Sequence, residues 1–214
     1  MTAPRDFILA NTDLIAPPLV PEIKLHLATE VVPLWRKTEE ELAEQGVPPP
    51  YWAFAWAGGQ ALARYVLDNP ENVAGKMVLD FGAGSGLVAL AAARSGAAHV
   101  MAADIDAFSQ AAIHLNAQSN DLDVECTGED VIGTPGNWQI ILVGDMCYER
   151  PLAERLTAWL AERIAQGVAV LVGDPGRSYF PKSGMEKLAT YHVAVSRDLE
   201  DREIRETSVY RFLG

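Results

Sequence analysis

An acid followed by three glycines at alternate positions, Asp80-Phe81-Gly82-Ala83-Gly84-Ser85-Gly86, stands between a short apolar run and a stretch rich in alanine. That order reads as a strand, a tight turn and the start of a helix. Backbone N–H groups at such a helix start face an anion, and glycines let a ligand approach closely. Several nucleotide-binding folds share the arrangement, so the spacing has to discriminate between them. A phosphate-binding loop needs Gly-Lys-Ser/Thr at its end, and none is present. A dinucleotide turn needs a glycine three positions after the second one, where this chain has Leu87. Glycines at 82, 84 and 86 with an acid two residues ahead suit a ligand with an amino-acid end, its carboxylate on the turn and its ammonium on Asp80. S-adenosylmethionine, which leaves as S-adenosylhomocysteine, is such a ligand. Asp80 reads equally well as an acid that organises the turn itself, and the two roles are compatible.

Candidates for the rest of that ligand follow. Met101-Ala102-Ala103-Asp104-Ile105-Asp106 closes the next strand, about 20 residues on, where an acid hydrogen-bonds both ribose hydroxyls. Asp104 is assigned to that role, with Ile105 packing on adenine; the other use for Asp104 is to cap the next helix. Glu129-Asp130 follows the third strand and is placed to meet the adenine amino group. Asp130 is taken as the contact, a solvated loop acid being the other reading for either residue. Gly144-Asp145-Met146-Cys147-Tyr148-Glu149 leaves the carboxyl end of the fourth strand, where the crevice of an open α/β sheet lies. Asp145 and Tyr148 are spaced so that both can point into it.

The elements that must position these groups alternate from residue 77 onward, short apolar runs with longer amphipathic ones, the pattern of a parallel α/β sheet. Strands are predicted at 77–81, 99–104, 123–127, 138–144 and 168–173, with helices at 86–95, 107–119 and from Pro151 to about Gln166. Residues 189–197 and 205–212 are β-rich and flank the charged turn 198–202, which reads as an antiparallel hairpin on the sheet edge. Five parallel strands closed by a hairpin give a Rossmann-like, mostly parallel seven-stranded sheet with helices on both faces, the class I methyltransferase fold. Ahead of it, Ile23, Leu25 and Leu27 alternate with polar residues as in a short strand. Thr38-Glu39-Glu40-Glu41 resembles a capping box opening a helix to about Gln45, and a further helix is predicted at 60–67. The chain thus divides into an N-terminal elaboration, 1–57, and a seven-strand core, 58–214, in one domain.

Composition bounds the rest. A formal net charge of −12 over 214 residues argues against nucleic acid as the main partner, and suits either steering of a basic substrate segment or plain solubility. No apolar run approaches the roughly 20 residues of a membrane helix. Met-Thr-Ala-Pro-Arg-Asp lacks the features of a signal or transit peptide, so a cytoplasmic address is expected. Cys126 and Cys147 read as buried free thiols, and the four histidines show no metal spacing, so no metal site is expected.

Asp145-x-x-Tyr148 resembles the signature of lysine-targeting seven-strand methyltransferases. Pro49-Pro50-Tyr51-Trp52-Ala53-Phe54-Ala55-Trp56-Ala57-Gly58-Gly59-Gln60-Ala61-Leu62 is similar to a segment of the electron transfer flavoprotein β-subunit lysine methyltransferases, as are Tyr65–Pro70 and Leu171-Val172-Gly173-Asp174-Pro175-Gly176-Arg177. The resemblance runs from about Pro21 to Phe212. It implies a protein-lysine N-methyltransferase whose partner is the β-subunit of electron transfer flavoprotein, or alternatively a ribosomal protein. By the same resemblance Asp145 orients the incoming amine, Tyr148 shapes the acceptor pocket, Trp56 covers the cofactor and Trp52 walls the lysine channel, core packing being the other reading for Trp52. Asp174 and Arg177 sit on the same rim, either touching substrate or forming an internal ion pair. The family's animal members carry a targeting presequence and this chain starts without one, as a bacterial relative would. Two further readings compete: a non-catalytic partner-binding protein on the same fold, disfavoured because the glycines and the ribose acid are all present, and a dehydrogenase, disfavoured by Leu87.

Overall fold

The computed structural model describes residues 3–28, 49–195 and 204–214. The expected helix at 38–45 and the turn at 198–202 lie outside them. The first elements are α1 (Pro4–Asn11), β1 (Asp13–Ile15), β2 (Leu25–Leu27) and, after a 3-10 turn at Tyr51–Ala53, α2 (Ala57–Asp68). The alternating part follows: β3 (Met77–Phe81), α3 (Leu87–Arg94), β4 (His99–Ala103), α4 (Ala107–Ser119), β5 (Glu125–Thr127), β6 (Ile140–Gly144), α5 (Arg150–Ala165) and β7 (Ala169–Asp174). The hairpin β8 (Met185–Ala194) and β9 (Ile204–Phe212) ends the chain.

Seven strands form one sheet in the order β5-β4-β3-β6-β7-β9-β8. The first five are parallel; β9 inserts antiparallel between β7 and β8. Strand periodicity explains why helices cover both faces. Along β6, Ile140 and Leu142 pack with α2 and α3, while Ile141 and Val143 pack with Leu156, Trp159 and Leu160 of α5. A strand buried on both faces needs an apolar residue at every position, and Ile-Ile-Leu-Val supplies it.

Strand order reverses between β3 and β6, and a crevice opens at such a switch beyond the carboxyl ends of the strands. Phe81 is paired with Val143 across it. The glycine turn after β3 and the Asp145 loop after β6 are therefore neighbours, because each is the continuation of a paired strand.

The N-terminal elaboration contains α1 and β1, which carry too weak a pattern to predict. β1 pairs antiparallel with β2, and the segment is held to α4 by side-chain amides. Asn116 Oδ1 accepts the His26 N–H at 2.7 Å, and Asn120 both accepts from Lys24 N–H and donates to its carbonyl. Ile8, Trp52, Ala53 and Phe54 close a third core cluster against Ala112 and Leu115 of α4.

Helix α2, which starts at Ala57 rather than at 60, touches the strand ends through glycine backbone at Gly58 and Gly59. A Cβ on Gly58 would fall 2.3 Å from the Gly173 carbonyl oxygen, and one on Gly173 would fall 2.2 Å from the Gly58 carbonyl. Both obstacles are backbone, so neither yields. Gly173→Ala and Gly58→Ala should each cost about 3 kcal/mol, the upper end of ordinary overpacking. Gly59→Ala, with nothing within 4 Å of its Cβ, should be neutral or slightly stabilising because alanine is the better helix former. Urea denaturation of the three variants measures the contrast, and equal effects at 58 and 59 would contradict it.

Candidate active site

Three left-handed glycines make the turn: Gly82 at φ 66°, Gly84 at 53° and Gly86 at 82°. A Cβ on Gly82 would strike the Met146 sulfur at 2.3 Å, whereas the Cβ position of Gly84 faces open space. Gly86 is the N-cap of α3 and has no side chain to satisfy the first N–H groups of the helix. Asp80, only 2% exposed, does so instead: its Oδ2 accepts the Ala89 N–H at 2.8 Å. Burial pushes this carboxyl up to about 7; the bond from Ala89 opposes the rise and the nearby Asp104 adds to it. The turn-organising role anticipated for Asp80 is present, and the residue also lines the cleft with Gly82, Gly84, Trp56 and Asp145.

Asp104 ties the turn to the next loop. Its Oδ2 accepts from Gly84 N–H at 2.8 Å and its Oδ1 from Asp106 N–H at 3.0 Å, using two of the roughly four acceptor sites of a carboxylate. Burial raises its pKa. The helix cap falls to Asp106, whose carboxylate accepts the Phe108 N–H at the start of α4. Ile105 between them is 75% exposed, a bare apolar surface beside Asp104. Asp130 lies apart from the cleft lining: it is exposed, ion-paired with Arg155 at 2.6 Å, and accepts from Ile132 N–H. Glu129 beside it is exposed as well.

After β6, Asp145 adopts φ 58°, left-handed for a residue with a side chain, a conformation that costs of order 1 kcal/mol and persists only where neighbours fix it. Here they do. Its N–H bonds the Gly173 carbonyl, its Oδ2 accepts from Gly59 N–H at 2.9 Å, and its Oδ1 takes Nε and a terminal nitrogen of Arg177 at 3.1 and 2.8 Å. The Arg177 guanidinium lies 5.5 Å from the centroid of the Trp56 ring. The sequence offered Asp174 as the acid for an Arg177 ion pair; the carboxylate that the Arg177 guanidinium meets here is that of Asp145. Asp174, 1% exposed, instead holds its own loop, accepting from Gly176 and Arg177 N–H at 2.7 Å each; burial pushes it up to about 6.

Trp56 donates its indole N–H to the Tyr51 carbonyl and meets the Tyr51 ring edge-on at 5.9 Å; Tyr51 in turn lies 5.8 Å from Tyr148. Both tyrosines are 40% exposed, so an aromatic rim stands beside Asp145. Trp52 is not part of it. It is 2% exposed, stacked on Phe108 and edge-on to Phe7 in the third core cluster. Of the two readings for Trp52, core packing is the one its surroundings fit, while the neighbouring Tyr51 stands on the rim. Cys126 and Cys147 are free, with thiols raised by burial to about 11 and about 12.

Comparisons with known proteins agree with this geometry. The chain is similar to the electron transfer flavoprotein beta subunit lysine methyltransferase of Xenopus laevis, 41% identical over 99% of this chain and 87% of that one. The Homo sapiens protein of the same name is 36% identical over 97% and 81%. A family model for ribosomal protein L11 methyltransferase (PrmA) matches residues 60–141 only, and one such enzyme, from Pelobacter propionicus, is 32% identical over 64% of this chain and 46% of its own length. Among solved structures, magnesium protoporphyrin IX methyltransferase from Synechocystis PCC 6803 with bound SAM superposes with a TM-score of 0.55 over 72% of this chain and 78% of that one, at 17% identity, a likeness of fold.

The buried Asp80 has a pH signature. Between its ordinary range near 4 and about 7, the unfolded chain has lost the proton that the folded chain keeps. The folded state binds more protons there, so stability falls as pH rises through that window and levels off above it. Asp80→Asn keeps an acceptor for Ala89 N–H and removes the titration. Urea denaturation from pH 4 to 8 should show wild type losing a few kcal/mol relative to Asp80→Asn, all of it below about pH 7; parallel curves would show that Asp80 is ionised throughout.

Proposed function

Because the chain belongs to the electron transfer flavoprotein beta subunit lysine methyltransferase family, we propose that it transfers methyl groups from S-adenosylmethionine to lysine side chains of that flavoprotein's β-subunit. The observation that carries the reading is a cleft in which the glycine turn, the buried Asp80 and the Asp145 carboxylate beside Trp56 meet, with Asp104 bonded to the turn at Gly84. The ribosomal alternative has less support, since those relatives align with about two thirds of this chain and under half of themselves.

The residues present fit S-adenosylmethionine. Asp80 is a buried carboxylate facing the cleft, suited to an ammonium. Gly84 leaves open space above the turn for a carboxylate, and Ile105 offers an exposed apolar face to adenine. Asp104 has acceptor sites for ribose hydroxyls. For Asp130 the adenine contact stays a proposal that requires its pair with Arg155 to open. When bound, the cofactor supplies a methyl group on a sulfonium: the lysine lone pair forms the N–C bond as the S–C pair returns to sulfur.

The chain's own task is to present the amine. A free lysine is neutral in about one molecule in 2,500 at pH 7, a cost of roughly 4.6 kcal/mol. No histidine stands at the cleft, so the proton leaves to water before transfer. Asp145 receives the incoming ammonium and orients the amine, Tyr148 and Tyr51 flank it, and Trp56 gives it an aromatic face. Most of the rate then comes from alignment.

Incubation with labelled cofactor should label lysines of recombinant electron transfer flavoprotein β-subunit, seen by mass spectrometry. Asp145→Ala should lower that rate about a hundredfold or more while S-adenosylhomocysteine still binds. Label found only on a ribosomal protein, RNA or a small molecule would sink the reading.

If Asp80 holds the ammonium, binding must ionise it. Calorimetry near pH 6.5 in buffers of different ionisation enthalpy should record a proton released on S-adenosylhomocysteine binding by wild type and none by Asp80→Asn. Equal proton counts would remove Asp80 from the ammonium.

A further inference from the structure

Resting on the cofactor reading above, we propose that Gln60 is a positioning residue for S-adenosylmethionine: it turns the Ala55–Trp56 peptide so that the Trp56 main-chain N–H donates to the cofactor's carboxylate. Gln60 is 2% exposed. Of the buried residues of α2 it alone carries a polar side chain, the others being glycine, alanine, leucine and valine. A buried amide is costly unless it is hydrogen-bonded, and a leucine at this helix position would avoid that cost. What the amide does here is hold main chain. Its Nε2 donates to the Ala55 carbonyl at 2.6 Å, and the Leu19 N–H, 3.5 Å from its Oε1, sets which end of the amide faces which partner.

The consequence falls on the other side of the peptide. A trans peptide is planar, with its C=O and N–H pointing opposite ways, and the described residues contain no cis bond. With the Ala55 carbonyl held by Gln60, the Trp56 N–H points away from Gln60. Ala55 and Trp56 line the cleft and Gln60 does not, so the direction away from Gln60 is that of the cleft. This N–H has no acceptor among the described residues, since the bond from Trp56 to the Tyr51 carbonyl is made by the indole. The next donors along the helix are already engaged: the Gly59 N–H by Asp145 and the Gln60 N–H by the Trp56 carbonyl.

The rest of the lining says what this donor meets. No arginine or lysine is among the residues that line the cleft, so an amino-acid carboxylate bound there is met by main-chain N–H groups. The Gly82–Ser85 turn and Leu87 and Val88, the first residues of α3, supply some of them. The first N–H groups of a helix have no acceptor within it; Asp80 takes that of Ala89, while those of Leu87 and Val88 have none among the described residues. The ammonium and the carboxylate of the cofactor sit on one carbon. With the first on Asp80, donors from the turn and from Trp56 hold the second from two segments of the chain, which fixes its rotation as one alone would not.

The test is binding without turnover. Calorimetry compares S-adenosylhomocysteine with its decarboxylated analogue, the 3-aminopropyl thioether of adenosine, which keeps adenine, ribose, sulfur and ammonium. Gln60→Met keeps the length of the side chain and removes the donor to Ala55. It should weaken S-adenosylhomocysteine about tenfold, the size of one hydrogen bond to a charged group, and leave the affinity of the analogue unchanged. Equal weakening of both ligands would mean that Gln60 only supports the wall, and no weakening of either that it does not steer the peptide; each result overturns the proposal. A measurement on wild type stands beside the variant should Gln60→Met fold poorly. In protein labelled with 15N-tryptophan, the Trp56 amide proton should move downfield on adding S-adenosylhomocysteine, as that N–H takes up a carboxylate, and much less with the analogue. The same shift with both ligands, or none with either, overturns the proposal. If wild type binds neither ligand, it is the cofactor reading that fails, and the two failures are told apart.

Discussion

The seating of α2 on the carboxyl ends of β6 and β7 is the constraint on which the rest of the site depends. Gly58 and Gly173 touch through their backbones, and Gly144 lies against Gly59. That approach brings the Gly59 N–H to the Asp145 carboxylate and forces Asp145 into a left-handed conformation between the helix and β7. Trp56, one residue ahead of the helix, is thereby set over the cleft, and Arg177 is caught between it and Asp145. Residues from three distant parts of the sequence meet because glycines on both sides let the helix backbone touch the strand ends.

The electrostatics follow from the same crowding. Asp80, Asp104, Asp145 and Asp174 end or follow four adjacent parallel strands, and three of them have pKa values raised chiefly by burial. Burial of several acids so close together disfavours their charged forms. S-adenosylmethionine carries a sulfonium and an ammonium, so a cationic ligand end and a group of acids that burial holds back from ionising are chemically complementary.

Much of this could be read from the sequence. The five parallel strands and the hairpin follow from apolar runs separated by amphipathic ones, and β3 and α4 fall on their predicted residues. Strand ends at 123–124 and 138–139 differ because pairing starts only where the neighbouring strand offers a partner, as at Met101 with Glu125. The glycine turn and the acids beside it were legible because they are local: one turn, one strand end, one spacing. The acceptor end was not, because it is assembled across the chain. Whether Tyr51 or Trp52 faced the cleft depended on α4 presenting Phe108 to one of them, and the partner of Arg177 depended on strand order. Helix α1 and strand β1 were missed because short elements owe their form to the surface they pack on rather than to their own pattern.

The asparagines of α4 carry a last consequence. Asn116 joins the His26 N–H on one side to the Ser85 carbonyl of the glycine turn on the other, both through a fully buried amide. One side chain thus belongs to the N-terminal segment and the cofactor turn at once. Dividing the chain into an elaboration and a core describes the order of the sequence, not separable parts: the boundary runs through a single amide group, and a core trimmed of its first residues would carry that group's unmet hydrogen bond into the floor of its own binding site.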